Sequence, residues 1–304
     1  MRNVIMFVNI FIVSVMATAC NSPKTSSVNE KNRDTVPVIV SDKMRFTEST
    51  YPYNGGFIVG NFGSSELNPL NKEGKGYLLF LKDTTVTVLI PADGNLNAPR
   101  GMYEKAGRLY IADVNKIVVY NLNALKEKPQ TIQFAPEDIF VNDLAAQDDT
   151  LFATVSNTGK IFTVNIKDPA NLAKEKPQKY LDIPGPNGIT VASGKLYISS
   201  FSQQGKPGAD NVVYVVNNLK VPKAEKIITQ PGSYDGIAVS EDGSKLYVSN
   251  WSPAGVMEVD LKTGAVKAVS LPVEVTGPAD FSLWDDKLII PDLVKSRVIT
   301  VKAP

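Results

Sequence analysis

The chain has 304 residues, 32 of them basic and 31 acidic, for a formal net charge of +1, with one cysteine and no histidine. A near-neutral charge gives no support to nucleic-acid binding. The missing histidines exclude His-ligated zinc, Ser-His-Asp triads and Cys-His dyads together, so a metal here takes oxygen ligands, as calcium and magnesium do.

Residues 1–19 read as a targeting segment. Arg2 gives a positive start, Val4 to Met16 is an apolar run, and Ala17-Thr18-Ala19-Cys20 supplies the small residues of a cleavage site. The run is short for a transmembrane helix. Cys20 behind small residues resembles a bacterial lipoprotein box, with Ala17 where Leu is usual. The other reading is an ordinary secretory signal with a free cysteine. The box implies that Cys20 is lipidated after cleavage, so that acyl chains hold the protein on a membrane of the bacterial cell envelope, periplasmic or at the outer surface, without a spanning helix. Cleavage leaves no cysteine for a disulfide in the folded part. Residues 20–35 are rich in Ser, Asn and Lys and read as a flexible tether; residues 36–304 read as one folded domain.

Beyond Lys43 the chain consists of short apolar runs separated by Gly, Asp, Asn and Pro, which is an all-β signature. Only residues 123–126 and 169–174 look helical, for a turn or two. A strand of Leu-Tyr type starts at Phe57, Leu109, Leu151, Leu196, Leu246 and Leu288. A period in the forties with four strands per repeat indicates a β-propeller, here with six blades. In the second blade the strands are expected near residues 100–103, 108–112, 116–120 and 131–134. In the sixth they are expected near 280–283, 287–290 and 297–301, after which the chain is one strand short. Residues 36–40 form an orphan strand-like segment, so the ring is expected to close by that segment pairing as the outermost strand of the last blade. This removes an exposed sheet edge, and Pro37 is tolerable there. Residues 62–75 and 201–210 are long inserts between the second and third strands of the first and fourth blades. They should flank the channel mouth from opposite sides.

In a propeller the first strand of each blade lines the channel. Glu48, Arg100, Asn142, Asn187 and Ala279 each lie nine residues before their blade's Leu-Tyr position, and Asp235 lies eleven before, across a longer turn. The register therefore gathers a mostly polar ring at one end, with Asp143 and Asp280 one residue further on. One reading is a solvated pore whose polar residues cap strand ends and hold waters. The other is a cation site in which Glu48, Asn142, Asn187 and Asp235 supply hard oxygens converging on the axis, since two carboxylates in a narrow channel repel one another without a cation. Asp113, Asn250 and Asp292, four residues after the Leu-Tyr positions, are expected to cap the turn to the third strand. Tyr51, Tyr53, Phe62, Phe201, Tyr234 and Trp251 are expected near the mouth, some of them as an apolar rim for a ligand.

These residues carry a resemblance over about 260 residues. Pro186-Asn187-Gly188 and Asp235-Gly236 match the N-G and D-G motifs of the gluconolactonase, senescence-marker-protein and luciferin-regenerating family of six-bladed propellers, whose architecture paraoxonases share. Val141-Asn142-Asp143 resembles its further Asn-Asp element. Glu48-Ser49-Thr50 stands where Glu-Gly-Pro is usual, and the Leu-Tyr strands are similar to NHL-type repeats, which are commonly non-enzymatic. The resemblance implies one divalent cation, calcium before any other, on Glu48, Asn187 and Asp235, and a substrate-contacting Arg100. Two functions are expected from it. One is a metal-dependent lactone or ester hydrolase with Asp235 or Asp143 as general base, since there is no histidine, and Arg100 on a substrate carboxylate or developing oxyanion. The other is a non-catalytic propeller, binding a small molecule in the channel, a glycan or a partner protein at the membrane surface. The expected state is a monomer, with no nucleic-acid partner.

Overall fold

The computed structural model describes residues 38–202 and 204–304. The targeting segment, Cys20, the tether, Val36 and Pro37 lie outside the described residues. The described chain forms six four-stranded antiparallel sheets. The first blade is β2 (Thr47–Tyr53), β3 (Gly56–Asn61), β4 (Tyr77–Lys82) and β5 (Thr85–Ile90). The second is β6 (Pro99–Lys105), β7 (Arg108–Asp113), β8 (Lys116–Asn121) and β9 (Gln130–Gln133). The third to fifth blades repeat the plan with innermost strands β10 (Val141–Gln147), β14 (Pro186–Ala192) and β18 (Tyr234–Val239). The sixth takes β22 (Ser282–Trp284), β23 (Lys287–Asp292) and β24 (Arg297–Lys302) from the end of the chain and β1 (Val38–Val40) from its beginning, in the order β1-β24-β23-β22. The all-β six-bladed ring is thus closed by an N-terminal strand. The stretch at 169–174 yields one 3-10 turn, Leu172–Lys174, and residues 123–126 yield turns and no helix.

Local chemistry explains the blades. The innermost and second strands are joined by two-residue turns with positive φ at both positions in Asn54-Gly55, Ala106-Gly107 and Ser193-Gly194. Such turns match the right-handed twist of a hairpin. The second strands are buried almost throughout, as in Leu109–Asp113 and Leu196–Ser200, because both their faces meet neighbouring blades. The core is accordingly a set of layers between sheets. Tyr110 and Ile117 of the second blade pack with Leu151 and Phe162 of the third, for example, where Phe134 meets Phe162 edge-on at 5.3 Å.

The junction of blades six and one is stitched twice. At the outside, Val38, Ile39 and Val40 pair with Ile299, Val298 and Arg297, and Ile39 is buried with Val59, Leu79 and Val298. At the inside, Asp280 N–H donates to Glu48 O (3.0 Å) and Thr50 N–H to Asp280 O (3.1 Å). The hydroxyls of Thr50 and Ser282 meet at 2.8 Å. Starting the chain at Met44 removes the outer stitch, exposes the edge of β24 and unburies an Ile worth about 1.5–3 kcal/mol. Thermal unfolding of that truncated protein is expected roughly 5 °C or more below the intact one, and an unchanged midpoint would contradict the closing role of β1.

Candidate metal centre

The polar ring is built on irregularities of the innermost strands. Pairing with the second strand slips between Thr47 and Ser49, Pro99 and Met102, Val141 and Leu144, Pro186 and Ile189, and Tyr234 and Ile237. In the sixth blade Pro278 bridges Asp292, and the ladder resumes only at Ser282. Every ring residue lies inside such an irregularity: Glu48, Arg100, Asn142, Asn187, Asp235 and Ala279. A bulge releases its residue from the ladder and re-aims the side chain, so the six residues share one register at one end of the innermost strands.

Two sets of side chains hold the bulges, and neither is marked by a motif. The first lies at or just past the ends of the second strands. Asp113 Oδ1 accepts from Ala98 N–H (2.7 Å) and Asn97 N–H (3.0 Å), Asn250 Oδ1 from Ser233 N–H (2.8 Å), and Asp292 Oδ1 from Gly277 N–H (3.1 Å). Asn61 and Asn157 do the same for Arg45 and Phe140. The expected role at the turn to the third strand is kept as well, by Asn250 Nδ2 donating to Pro253 O (3.1 Å) and by the pairs Asp113–Lys116 and Asp292–Arg297. Antiparallel pairing brings the end of the second strand beside the start of the first, so these side chains anchor the segment entering the ring. The second set consists of hydroxyls that take up ring carbonyls. Ser49 donates to Arg100 O (2.7 Å), Thr154 to Asn187 O (2.6 Å), Ser249 to Ala279 O (3.0 Å), and Ser199 to Asp235 O. The glycine after Asp235 has a structural cause too. A Cβ at Gly236 would stand 2.7 Å from Ala279 O and Phe281 N of the next blade, so only glycine lets adjacent inner strands approach.

The ring side chains contrast with this full accounting of the backbone. Glu48, Asn187 and Asp235 are each 5% exposed and Asn142 3%. Glu48 Oε2, Asn142 Oδ1, Asn187 Oδ1 and Asp235 Oδ1 are buried with no hydrogen-bond partner. All four are acceptors. Their neighbours turn them that way: Asn142 Nδ2 donates to Ser156 Oγ (3.1 Å), and Trp251 Nε1–H donates to Asp235 Oδ2 (2.8 Å). Among the described residues no three His, Cys, Asp or Glu side chains group as metal ligands; here two of the four oxygens are carboxamides, which such a grouping does not include. Burial, and then the charge of Asp235, raises the Glu48 carboxyl well above its usual range, against the opposing pull of Arg100. Burial likewise raises Asp235 to about 7, opposed by the Trp251 hydrogen bond and Arg100. The four oxygens are a site short of positive charge, and the donor set fits a hard divalent cation.

Asp143 and Arg100 are both tied into the protein around them. Both Asp143 oxygens are engaged, Oδ1 by Leu144 N–H and Oδ2 by Ile189 N–H, each at 2.7 Å, so Asp143 ties the third blade to the fourth. Arg100 is 1% exposed. Its partners are carbonyls, Val141 O (3.0 Å) and Pro69 O of the first long insert, and its guanidinium lies 4.2 Å from the Phe140 ring centroid and 5.8 Å from that of Phe62. Both long inserts leave the ring end, since Asn61 pairs with Thr47 and Ser200 with Pro186. Phe62, Leu70 and Trp251 pack in one apolar cluster with Ala279, and Phe201 meets Trp251 edge-on at 5.9 Å. The expected aromatic rim is therefore partly corrected. Tyr51 and Tyr53 lie toward the far end of β2 and pack against the core between blades one and two, and Tyr234 is buried between blades four and five. A cleft of about 410 Å³ at the outer edge of the first two blades, lined by Leu89, Tyr120 and Lys126 among others, is remote from the ring and holds none of the orphaned oxygens.

Comparison with known proteins agrees with this architecture. The family model described as SMP-30/Gluconolactonase/LRE-like region matches residues 100–279. No curated protein matches the chain. Among solved structures, a structural genomics protein of unknown function from Bacteroides thetaiotaomicron superposes with a TM-score of 0.61 at 14% identity, covering 90% of this chain and 73% of its own. A chain of a nidogen/laminin complex superposes at 0.58 with 13% identity, covering 85% and 94%. At these identities the structures share the fold alone.

Proposed function

Because this chain belongs to the SMP-30/gluconolactonase/LRE-like family, we propose that it is a divalent-cation-dependent hydrolase of lactones or related esters, acting at the ring end of its channel. The observation that carries the reading is the set of four buried, unpartnered acceptor oxygens on Glu48, Asn142, Asn187 and Asp235. These residues would hold the cation, and calcium suits them because all the donors are hard oxygens. A bound cation supplies Lewis-acid polarisation of a substrate carbonyl and a more acidic water. The chain's own groups do the rest. Asp235 would take up the proton beside the cation, its carboxylate oriented by Trp251 Nε1–H on Oδ2. Asp143 accepts one backbone N–H on each oxygen, which ties it to the neighbouring strand and leaves Asp235 the better placed of the two candidate bases. Arg100 places a positive charge beside the ring, held between Phe62 and Phe140, where a developing oxyanion gains from it.

A second reading is a binding propeller with a structural cation. It is favoured by the burial of the ring and by the engagement of Arg100 with two carbonyls. The test is lactone opening by residues 21–304 with calcium, zinc or manganese and with chelator. Turnover that requires a metal supports the hydrolase. Bound metal without turnover leaves the binding propeller, and no bound metal leaves a solvated pore. The N-terminal sequence supports an envelope lipoprotein anchored through lipidated Cys20, with a small molecule reaching the channel from outside the membrane.

A further inference from the structure

We propose that the end of the channel opposite the ring is a second binding site, one that takes a small primary alkylammonium ion. Past the ring the inner strands enclose a cavity of about 200 Å³, which Asp143 and Asp280 line together with neighbouring residues of β2, β6, β10, β14, β18 and β22. In a six-bladed ring the third and sixth blades are opposite, so the two carboxylates face one another across the axis. Asp143 has one backbone N–H on each oxygen and keeps spare lone pairs. Asp280 is the informative residue. Its backbone is fully used, by Glu48 O and Thr50 N–H, and it is only 8% exposed, yet no described hydrogen bond or ion pair reaches its carboxylate.

The chain supplies nothing to neutralise it. No Lys or Arg lines the cavity. The two hydroxyls nearest Asp280 along the chain and its ladder are committed, Thr50 Oγ1 to Ile289 O (2.8 Å) and Ser282 Oγ to Thr50 O (2.7 Å). An unpaired buried carboxylate is costly, so a cation from outside gains by pairing with it. The walls decide which kind. Leu144, Ile189, Ile237 and Phe281 are apolar, and a hard divalent ion needs six to eight oxygens where the cavity offers one free carboxylate and half of another. An ammonium head has three N–H donors for these two carboxylates, and a short alkyl tail meets the apolar wall.

The probe is propylammonium chloride, with sodium chloride at equal ionic strength and propan-1-ol as controls, titrated calorimetrically into residues 21–304 with calcium saturating. The expected result is saturable binding of one propylammonium per protein, with no binding of propanol. Affinity should fall at least about tenfold in Asp280→Asn, the loss of one charge-assisted hydrogen bond. Leu283→Trp, which narrows the cavity and leaves both carboxylates in place, should weaken binding as well, so the result does not rest on one variant. Absence of saturable binding, equal affinity in Asp280→Asn, or a second calcium per protein that Asp280→Asn abolishes would each overturn the assignment.

Discussion

Stripped of divalent cations, the protein is expected to become less stable as pH rises from about 4 to above 7, and calcium near neutral pH is expected to reverse the loss. The sign comes from linkage. Burial raises Asp143 and Asp235 to about 7 and holds Glu48 and Asp280 well above their usual values. A carboxyl whose folded-state pKa exceeds its unfolded value of about 4 binds more protons folded than unfolded between the two values. Its contribution to stability is therefore present below about pH 4 and is lost as pH rises through the folded value near 7. Most small proteins whose carboxylates are paired behave oppositely. A cation on the four ring oxygens replaces the missing protons and should remove most of the trend. At a thousandfold excess over its dissociation constant it adds about 4 kcal/mol, or roughly 10 °C in melting midpoint for a domain of this size. Denaturation scans at about pH 5 and 7.5, with calcium and with chelator, decide it. A metal-free protein more stable at the higher pH would show that the ring carboxylates are paired in solution.

Asp235→Asn should separate stability from function in opposite directions. The substitution preserves shape, and the new amide oxygen still accepts from Trp251 Nε1–H, as Asp235 Oδ2 does now. It removes a buried charge that repels Glu48, so the metal-free variant should gain on the order of 1–3 kcal/mol. Cation affinity should fall, since one of only two carboxylates among the four donors is gone. If the ring is a hydrolytic centre, turnover should drop by roughly 10²–10⁴ even with metal saturating, the range for losing a general base. A variant that is more stable without metal, weaker for calcium and still fully active would place the chemistry elsewhere. One that is simply destabilised would show that the orphaned oxygen Oδ1 has a protein partner in solution.

The repeat at Phe57, Leu109, Leu151, Leu196, Leu246 and Leu288 makes the six blades legible, because every second strand is buried on both faces and must be apolar at the same register. The missing strand points to Val38–Val40 for the same reason: an antiparallel sheet that stops one strand short leaves an edge. The layer of ring residues is legible from spacing. The bulges that aim them are not, since a slip such as Val141 to Leu144 depends on pairing with another strand and leaves no periodic mark. Asp113, Asn250 and Asp292 look like turn residues because their sequence neighbours form a turn, while the antiparallel strand they bind is distant in the chain. Tyr51 and Tyr53 lie in the same strand as Glu48, but each residue along β2 moves further from the ring, and nearness in sequence hides that distance. Arg100 shows the remaining limit: charge and position suggest a substrate contact, while Pro69, from another blade, contributes the carbonyl it holds.

The sixth blade has a consequence for how the protein is made. Val38 pairs with Ile299, so the strand that closes the ring is synthesised long before the strands it joins. Five blades can form from contiguous stretches as the chain emerges, but the closing sheet has very high contact order and must wait for the last strand. Until then β1 is an unpaired strand of the kind that associates between molecules, and the fifth blade lacks the sixth blade that packs on its apolar face. A chain moved across a membrane before folding would meet this interval on the far side, where closure of the ring is the last event of its biogenesis and the one most exposed to holding factors and proteases.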